Sequence, residues 1–321
     1  MPPLRASYAS GQLTGLLAEP DVLAVIGFGQ IAEASDDPRY LHVGLEQVGS
    51  NRYEVWRGAA PVRSGVAGSV RWSSDDTYLF FAIEIDEGKS GGMDPAAEQA
   101  YAEMCTLLDQ RRFEDGTRAQ ILRLWNYMDA INEGEGDDER YRHFCSGRAR
   151  GISPAANNGY SAATAIGRRD GVRVLQVYGL AAREAGVAIE NPRQVSAWSY
   201  PRQYGPVAPT FARATRTPAD QLLVSGTAAV VGHASVHAGD TFAQFEETLR
   251  NLESLLGAAG SGIASRGLAA TMIKVYLRDP LEAGAIGRHI RERCPDVLDS
   301  IILIADICRS DLGIEIDGIQ V

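Results

Sequence analysis

The sequence predicts an α+β protein of two units, each a mixed β-sheet with helices packed on one face. Three observations predict it. Short runs rich in β-branched and aromatic residues alternate with longer segments of helical apolar spacing. The strand, helix, strand, helix order of the first half returns in the second, and 321 residues fit two domains rather than one.

In the first half, Asp21–Gly29, Tyr40–Val48 and Asn51–Gly58 read as strands, the last two joined by the turn-forming Gly49-Ser50-Asn51. Thr77–Ile85 is a further strand. Asp94-Pro95 then supplies an N-cap and a first-turn proline for a helix whose apolar stripe is Ala97, Tyr101, Met104, Cys105 and Leu108. A strand over Ala119–Tyr127 and a helix from about Asp137 to Arg148 follow.

The second half repeats the series with a strand over Gln221–Gly232, a helix from Asp240, a strand over Ala269–Arg278 and a helix after Asp279-Pro280. Phe242, Phe245, Leu249, Leu252 and Leu256 give the first of these helices a core-facing stripe. Strands over Ser300–Ile307 and Leu312–Val321 close the chain. Punctuation at Gly151-Ile152-Ser153-Pro154 and the Ala-Ala-Asn-Asn-Gly that follows sets the boundary between residues 1–150 and 151–321.

Composition narrows the function. Hydrophobic residues at 45% and charged residues at 22% are ordinary for a globular chain. A formal net charge of −10 disfavours phosphate backbones and anionic lipid, so neither nucleic acid nor membrane is an expected partner. The first residues hold no apolar run of signal-peptide length, and no later run reaches the roughly 18 residues of a membrane span, so a cytoplasmic protein is expected. Cys105, Cys145, Cys294 and Cys308 are far apart, without a C-x-x-C, which points to free thiols and to no metal or cofactor.

Several motifs fail in context. Val25-Ile26-Gly27-Phe28-Gly29-Gln30-Ile31-Ala32 imitates a dinucleotide fingerprint, but Ser35-Asp36-Asp37-Pro38 interrupts the helix that a pyrophosphate needs. Gly88-Lys89-Ser90 lacks the earlier glycine of a phosphate loop. His233 and His237 have no third metal ligand nearby in sequence, and no G-x-S-x-G elbow is present. Acid–base chemistry remains.

In Leu312-Gly313-Ile314-Glu315-Ile316-Asp317-Gly318, alternation sets Leu312, Ile314 and Ile316 on one strand face and Gly313, Glu315 and Asp317 on the other. Glu315 therefore lies opposite the apolar face, on a face that is either solvent-exposed or a ligand wall. Cys308 ends the preceding strand, so it and Glu315 are candidates for neighbouring strands. Ile273, Val275 and Leu277 likewise oppose Lys274, Tyr276 and Arg278, whose cations are either surface charge or anion holders.

From Leu222-Leu223-Val224-Ser225-Gly226-Thr227-Ala228, through Met272-Ile273-Lys274-Val275-Tyr276-Leu277-Arg278-Asp279, to Ile314-Glu315-Ile316, the second half resembles the RidA/YjgF superfamily. Leu124-Trp125-Asn126-Tyr127, Ile131-Asn132, Glu139-Arg140-Tyr141, Gly147-Arg148 and Val231-Gly232-His233 extend the likeness over both halves, and together the chain resembles the chorismatase family. That resemblance implies two RidA/YjgF-like (chorismate-mutase-like) units and an enzyme that releases pyruvate from chorismate.

It also implies a site. Chorismate is a dianion carrying an enolpyruvyl ether beside a hydroxyl, so its pocket needs fixed cations, phenols and one proton-transfer group. By resemblance Glu315 is the catalytic glutamate. Arg148, Tyr160, Tyr204 and Arg213 are candidates for carboxylate or ring contacts, and Ser225, Gly226, Thr227 and Ala228 for part of the wall. The family divides between hydrolysis to a dihydroxycyclohexadiene carboxylate and formation of 3-hydroxybenzoate, with a further branch that also yields 4-hydroxybenzoate. A cysteine at Cys308 resembles the 3-hydroxybenzoate branch, with the thiol filling space that a nucleophilic water would use. The rivals are a RidA-type imine or enamine hydrolase, which would need only one unit, and a noncatalytic binder of aromatic acids. Single-unit relatives assemble as trimers; a duplicated chain supplies that packing internally, so a monomer is expected, with a trimer as the alternative.

Overall fold

A computed structural model describes residues 1–153 and 160–320. The residues from Pro154 to Gly159, part of the expected boundary, lie outside the described residues.

The expected duplication is visible in the strand order. The middle sheet runs Val70–Ser74, Tyr78–Asp86, Val174–Ala182, Gln120–Asp129, Ala162–Arg168 from one side to the other. The C-terminal sheet runs Ala214–Arg216, Leu222–Ala228, Ile314–Gln320, Thr271–Leu277, Asp299–Ile304. In each, the strand that comes last in sequence is antiparallel to both its neighbours, and the two strands that follow helices pair in parallel. The helices Met93–Gln110 and Arg140–Gly151 belong to the middle unit, and Thr241–Ala258 and Ala283–Arg293 to the C-terminal one.

The opening strands form a third, truncated copy rather than the start of the first unit. Arg5–Ala9, Tyr53–Arg57, Val22–Phe28 and Tyr40–Val43 lie in the same spatial order with the same directions. One helix has shrunk to Leu13–Leu17 and no helix joins Phe28 to Tyr40. Tyr40–Val48 is therefore not one strand. After Val43 the chain leaves its sheet, and Glu46–Gln47 pairs with Leu303–Ile304 of the C-terminal sheet. Asp306–Ile307 in turn extends the middle sheet beside Ile166–Gly167. Each short segment covers an edge of a different sheet and occupies backbone groups that would otherwise stay open. At 150/151 the chain is in the helix Arg140–Gly151 and stays within the middle unit, because the strand after it, Ala162–Arg168, pairs with the strand before it, Gln120–Asp129. The sheets change between Arg57 and Arg63 and between Ala182 and Val187. Gly-Ser punctuation marks a helix-to-strand loop here as readily as a domain boundary.

Local chemistry sets the helix ends. Asp240 caps the helix Thr241–Ala258, its carboxylate accepting from Ala243 N at 2.9 Å. The Met93–Gln110 helix begins one residue before Asp94, with Gly92 at its N-cap, leaving Asp94 and Pro95 in the first turn, where acidic residues and proline are favoured. Both stripes are buried, except that Phe242 sits 38% exposed against the edge of His289.

Helices cover only one face of each large sheet. The other faces pack on one another and on the N-terminal sheet through Trp56, Trp125, Tyr178, Tyr276, Leu303 and Ile319. Polar groups on these faces are consequently buried and paired. Lys274 meets Glu54 at 2.5 Å, and the phenols of Tyr127 and Tyr276 lie 2.8 Å apart. Lys274 is thus neither surface charge nor free for a ligand. The face of the last strand that bears Glu315 and Asp317 is interior too.

Candidate active site

The site grows from an irregularity. Val224 pairs with Gly318 but Thr227 with Ile316, so the strand Leu222–Ala228 carries one extra residue, a β-bulge at Ser225-Gly226. The bulge is tied to the middle unit. Ser225 Oγ donates to Ala212 O at 2.6 Å and accepts from Ala163 N at 3.0 Å, while Gly226 N donates to Thr164 Oγ1 at 3.0 Å. This brings Gly226 against Glu315. A Cβ at residue 226 would overlap the Glu315 carboxyl, so glycine leaves the acid its room.

Glu315 is 5% exposed. Burial raises its carboxyl first, the charge of Asp317 adds to this, and Arg123, Arg213 and Arg309 pull back, leaving a pKa of about 8. At neutral pH the group holds its proton. It lines a cavity of about 390 Å³ between the C-terminal and middle units, together with Gly226, Ala228, Cys308, Arg213 and Tyr204, all named from the sequence.

Two arginines supply positive charge. Arg213 donates to Val195 O and Tyr200 OH, each at 2.7 Å, and its guanidinium lies over the rings of Tyr200 and Phe211. Arg309 stacks 4.0 Å from the Tyr204 ring centre and donates to His233 O at 2.9 Å and Ser235 Oγ at 3.2 Å. Among the described residues neither guanidinium is in an ion pair. Both therefore offer unneutralised charge to an anion. Arg142 also reaches the cavity but is engaged by Glu139 at 3.0 Å. His233 lies 3.3 Å from the Tyr204 hydroxyl through Nδ1, a strut for the aromatic wall, while His237 faces Glu247 at 3.6 Å.

Cys308 is half-buried. Burial, then the charge of Glu315, raise its thiol well above the usual range, so it is a neutral, weakly polar filler rather than a thiolate nucleophile.

Four named residues do not line this cavity, Ser225 among them, its hydroxyl engaged by Ala212 O and Ala163 N. Arg148 is buried, donating to Thr210 O at 2.9 Å with its guanidinium over Tyr101. Tyr160 packs on Trp198 with ring centres 4.7 Å apart, outside this cavity. Thr227 points to the opposite strand face from Gly226 and Ala228, its hydroxyl donating to Ser225 O at 2.9 Å. Arg309, Tyr200 and Arg142 were not singled out from sequence. Arg309 directly follows Cys308, and Tyr200 opens the aromatic Tyr200-Pro201-Arg202-Gln203-Tyr204 run, so adjacency was the available signal.

Of the decoys, Gly27 serves packing. A Cβ there would come within 2.8 Å of the Tyr40 hydroxyl, and no helix follows to bind a pyrophosphate. Among the described residues no cluster of three His, Cys, Asp or Glu could hold a metal ion, and no helix is long and apolar enough to cross a membrane.

Known proteins resemble this chain over its whole length. The family model described as chorismatase FkbO/Hyg5-like, N-terminal, matches residues 54–181. A 3-hydroxybenzoate synthase of Streptomyces hygroscopicus is 34% identical over 93% of this chain and 91% of its own. A chorismatase of Streptomyces rapamycinicus is 34% identical over 99% of each. The solved structure of a chorismatase at 1.08 Å superposes with a TM-score of 0.82 at 30% identity, covering 99% of this chain and 98% of that one.

Proposed function

Since the chain belongs to the chorismatase family, we propose that it converts chorismate into 3-hydroxybenzoate and pyruvate, with Glu315 as the proton donor. The observation that carries this reading is a buried carboxyl held protonated, with a pKa of about 8, beside two arginines that have no ion pair among the described residues. The reaction needs no cofactor on atom count, because 3-hydroxybenzoate and pyruvate together contain the atoms of chorismate.

Arg213 and Arg309 hold the two carboxylates of the substrate through charge-assisted hydrogen bonds. Tyr200 and Tyr204 present ring faces and hydroxyls to its body. Glu315 gives its proton to the enol ether, and the carboxylate that results is stabilised by the same arginines until a proton returns as the ring becomes aromatic. Cys308 occupies volume on the ring side, which disfavours attack by water and leaves the neighbouring hydroxyl as the internal nucleophile: it bonds to the ether-bearing ring carbon, breaks that carbon's bond to the ether oxygen so that pyruvate leaves, and gives up its own proton. The same reading has the enzyme act as a cytoplasmic monomer.

The test is incubation of the purified protein with chorismate, following pyruvate and identifying the ring product by mass and chromatography. Equal amounts of pyruvate and 3-hydroxybenzoate are expected. No pyruvate from folded protein would overturn the reading, and a nonaromatic diol would overturn the part assigned to Cys308. Cys308→Ala is expected to admit water and release some of that diol.

A further inference from the structure

Behind Glu315, on the same strand face, lies Asp317, a carboxylate that the reaction does not touch. It is 2% exposed and accepts four hydrogen bonds through one oxygen, from Arg123 Nη2 at 3.2 Å, Trp125 Nε1 at 3.0 Å, Thr164 Oγ1 at 2.9 Å and Tyr276 OH at 3.1 Å. Three of these donors come from the middle unit and one from the C-terminal sheet, so the carboxylate sits where the units join. Arg123 is one of the four donors, so one of these contacts is charge-assisted. Thr164 carries the connection forward, since the same Oγ1 that donates to Asp317 accepts from Gly226 N, the residue against which the Glu315 carboxyl rests.

We propose that Asp317 is a positioning residue: a fixed negative charge that keeps the Glu315 carboxyl in its proton-donating form, and an anchor that holds the Gly226 bulge through Thr164. This rests on Glu315 acting as an acid. The charge works because Glu315 and Asp317 share a water-poor face, where a second negative charge is disfavoured. The other charged or titratable groups facing Glu315 are Arg123 from the middle sheet, Arg213 ahead of the bulged strand, and Cys308 and Arg309 from the link before the last strand. Across the cavity lie Glu139, Tyr141 and Arg142, and Tyr200, Tyr204 and Asp311 complete its charged and titratable lining. Of these, Arg123, Arg213 and Arg309 oppose Asp317 and pull Glu315 towards ionisation. Lys274 is spoken for by Glu54.

The variants separate charge from position. Asp317→Asn removes the negative charge, and the alkaline limb of kcat/KM should move down by about one pH unit, a roughly tenfold loss above the limb with little change below it. Arg123→Gln removes an opposing positive charge and should move the limb upward; this opposite sign keeps the test alive if Asp317→Asn does not fold. Thr164→Val breaks the tie to Gly226 without changing charge, and should lower kcat with the limb unmoved.

A readout independent of turnover is the infrared C=O stretch of the protonated Glu315 carboxyl, assigned by its absence in Glu315→Gln. Its titration midpoint should fall in Asp317→Asn and rise in Arg123→Gln. Midpoints and limbs that stay within 0.2 pH units of wild type, as an order-of-magnitude threshold, would overturn the proposal. Failure of the wild type to release pyruvate would instead count against the proposed function, and the infrared midpoint would still decide the role of Asp317.

Discussion

Two corresponding corners of the molecule carry opposite chemistry. In the C-terminal sheet Glu315 pairs with Tyr276 on one side and Ala228 on the other. In the middle sheet the equivalent place, opposite Tyr127 and Glu84, belongs to Gln176. Tyr127 and Tyr276, matching residues of the two sheets, meet through their phenols. The amide of Gln176 donates to His42 O at 2.8 Å and Glu84 Oε1 at 2.7 Å, so its side chain is tied down by its flanks. The cavity beside Gln176 holds Arg168 and Arg169, ion-paired to Asp170 and Asp306, whereas around Glu315 the flanks shrink to Gly226 and Ala228 and the arginines of the cavity, Arg213 and Arg309, have no ion pair among the described residues. Duplication thus supplies the corner, and small flanking residues together with a carboxyl turn one copy into a proton donor.

The sharpest way to break this comparison is to refill the flank. Gly226→Val would force the Glu315 carboxyl aside, and a loss in kcat of about 100-fold is expected from such a displacement, with a melting temperature near wild type. A normal kcat would show that the empty flank is incidental. Arg309→Ala removes a cation that has no ion pair among the described residues, unlike Arg168 and Arg169 beside Gln176. KM for chorismate should rise by about tenfold or more, the loss expected for a charge-assisted hydrogen bond, with a smaller change in kcat.

The two corners also differ in their pH response. The folded-state pKa of Glu315, about 8, stands above the unfolded value near 4.5. The folded protein therefore binds the proton more tightly, and this contribution to stability is full below about pH 4.5 and is lost as pH rises through 8. Between those limits wild type should lose up to about 1.4 kcal/mol per pH unit relative to Glu315→Gln, read from denaturant midpoints. Parallel pH profiles would contradict the buried, protonated state. The smallest effect is expected from Gln176→Glu, which should leave chorismate turnover unchanged, because the arginines of the cavity in that corner, Arg168 and Arg169, are already held by Asp170 and Asp306.

Much of this was legible in sequence, and the misses have physical reasons. Alternation in Ile314-Glu315-Ile316 put the acid on the right face, but period alone could not tell water from a second sheet on that side. The strand and helix order revealed the duplication. The third copy escaped because its helices are reduced or missing, so its strands read as part of the first unit. Edge segments such as Glu46–Gln47 and Asp306–Ile307 are two residues long, too short for any pattern, and their partners lie far off in sequence. Arg148 shares a helix with Tyr141 but lies seven residues on, about 10 Å along the axis, beyond the cavity. Arg309 was missed because an arginine in a short link has no periodicity to declare its direction.

The pH dependence of kcat/KM for chorismate in the wild type, with Glu315→Gln as baseline, decides whether Glu315 is the acid. A protonated Glu315 predicts a rate that is level below pH 8 and falls above it, and a variant slower by about 10²–10⁴-fold across the range. A rate that rises through pH 8, or a variant that keeps wild-type turnover, would contradict the assignment of Glu315 as the acid.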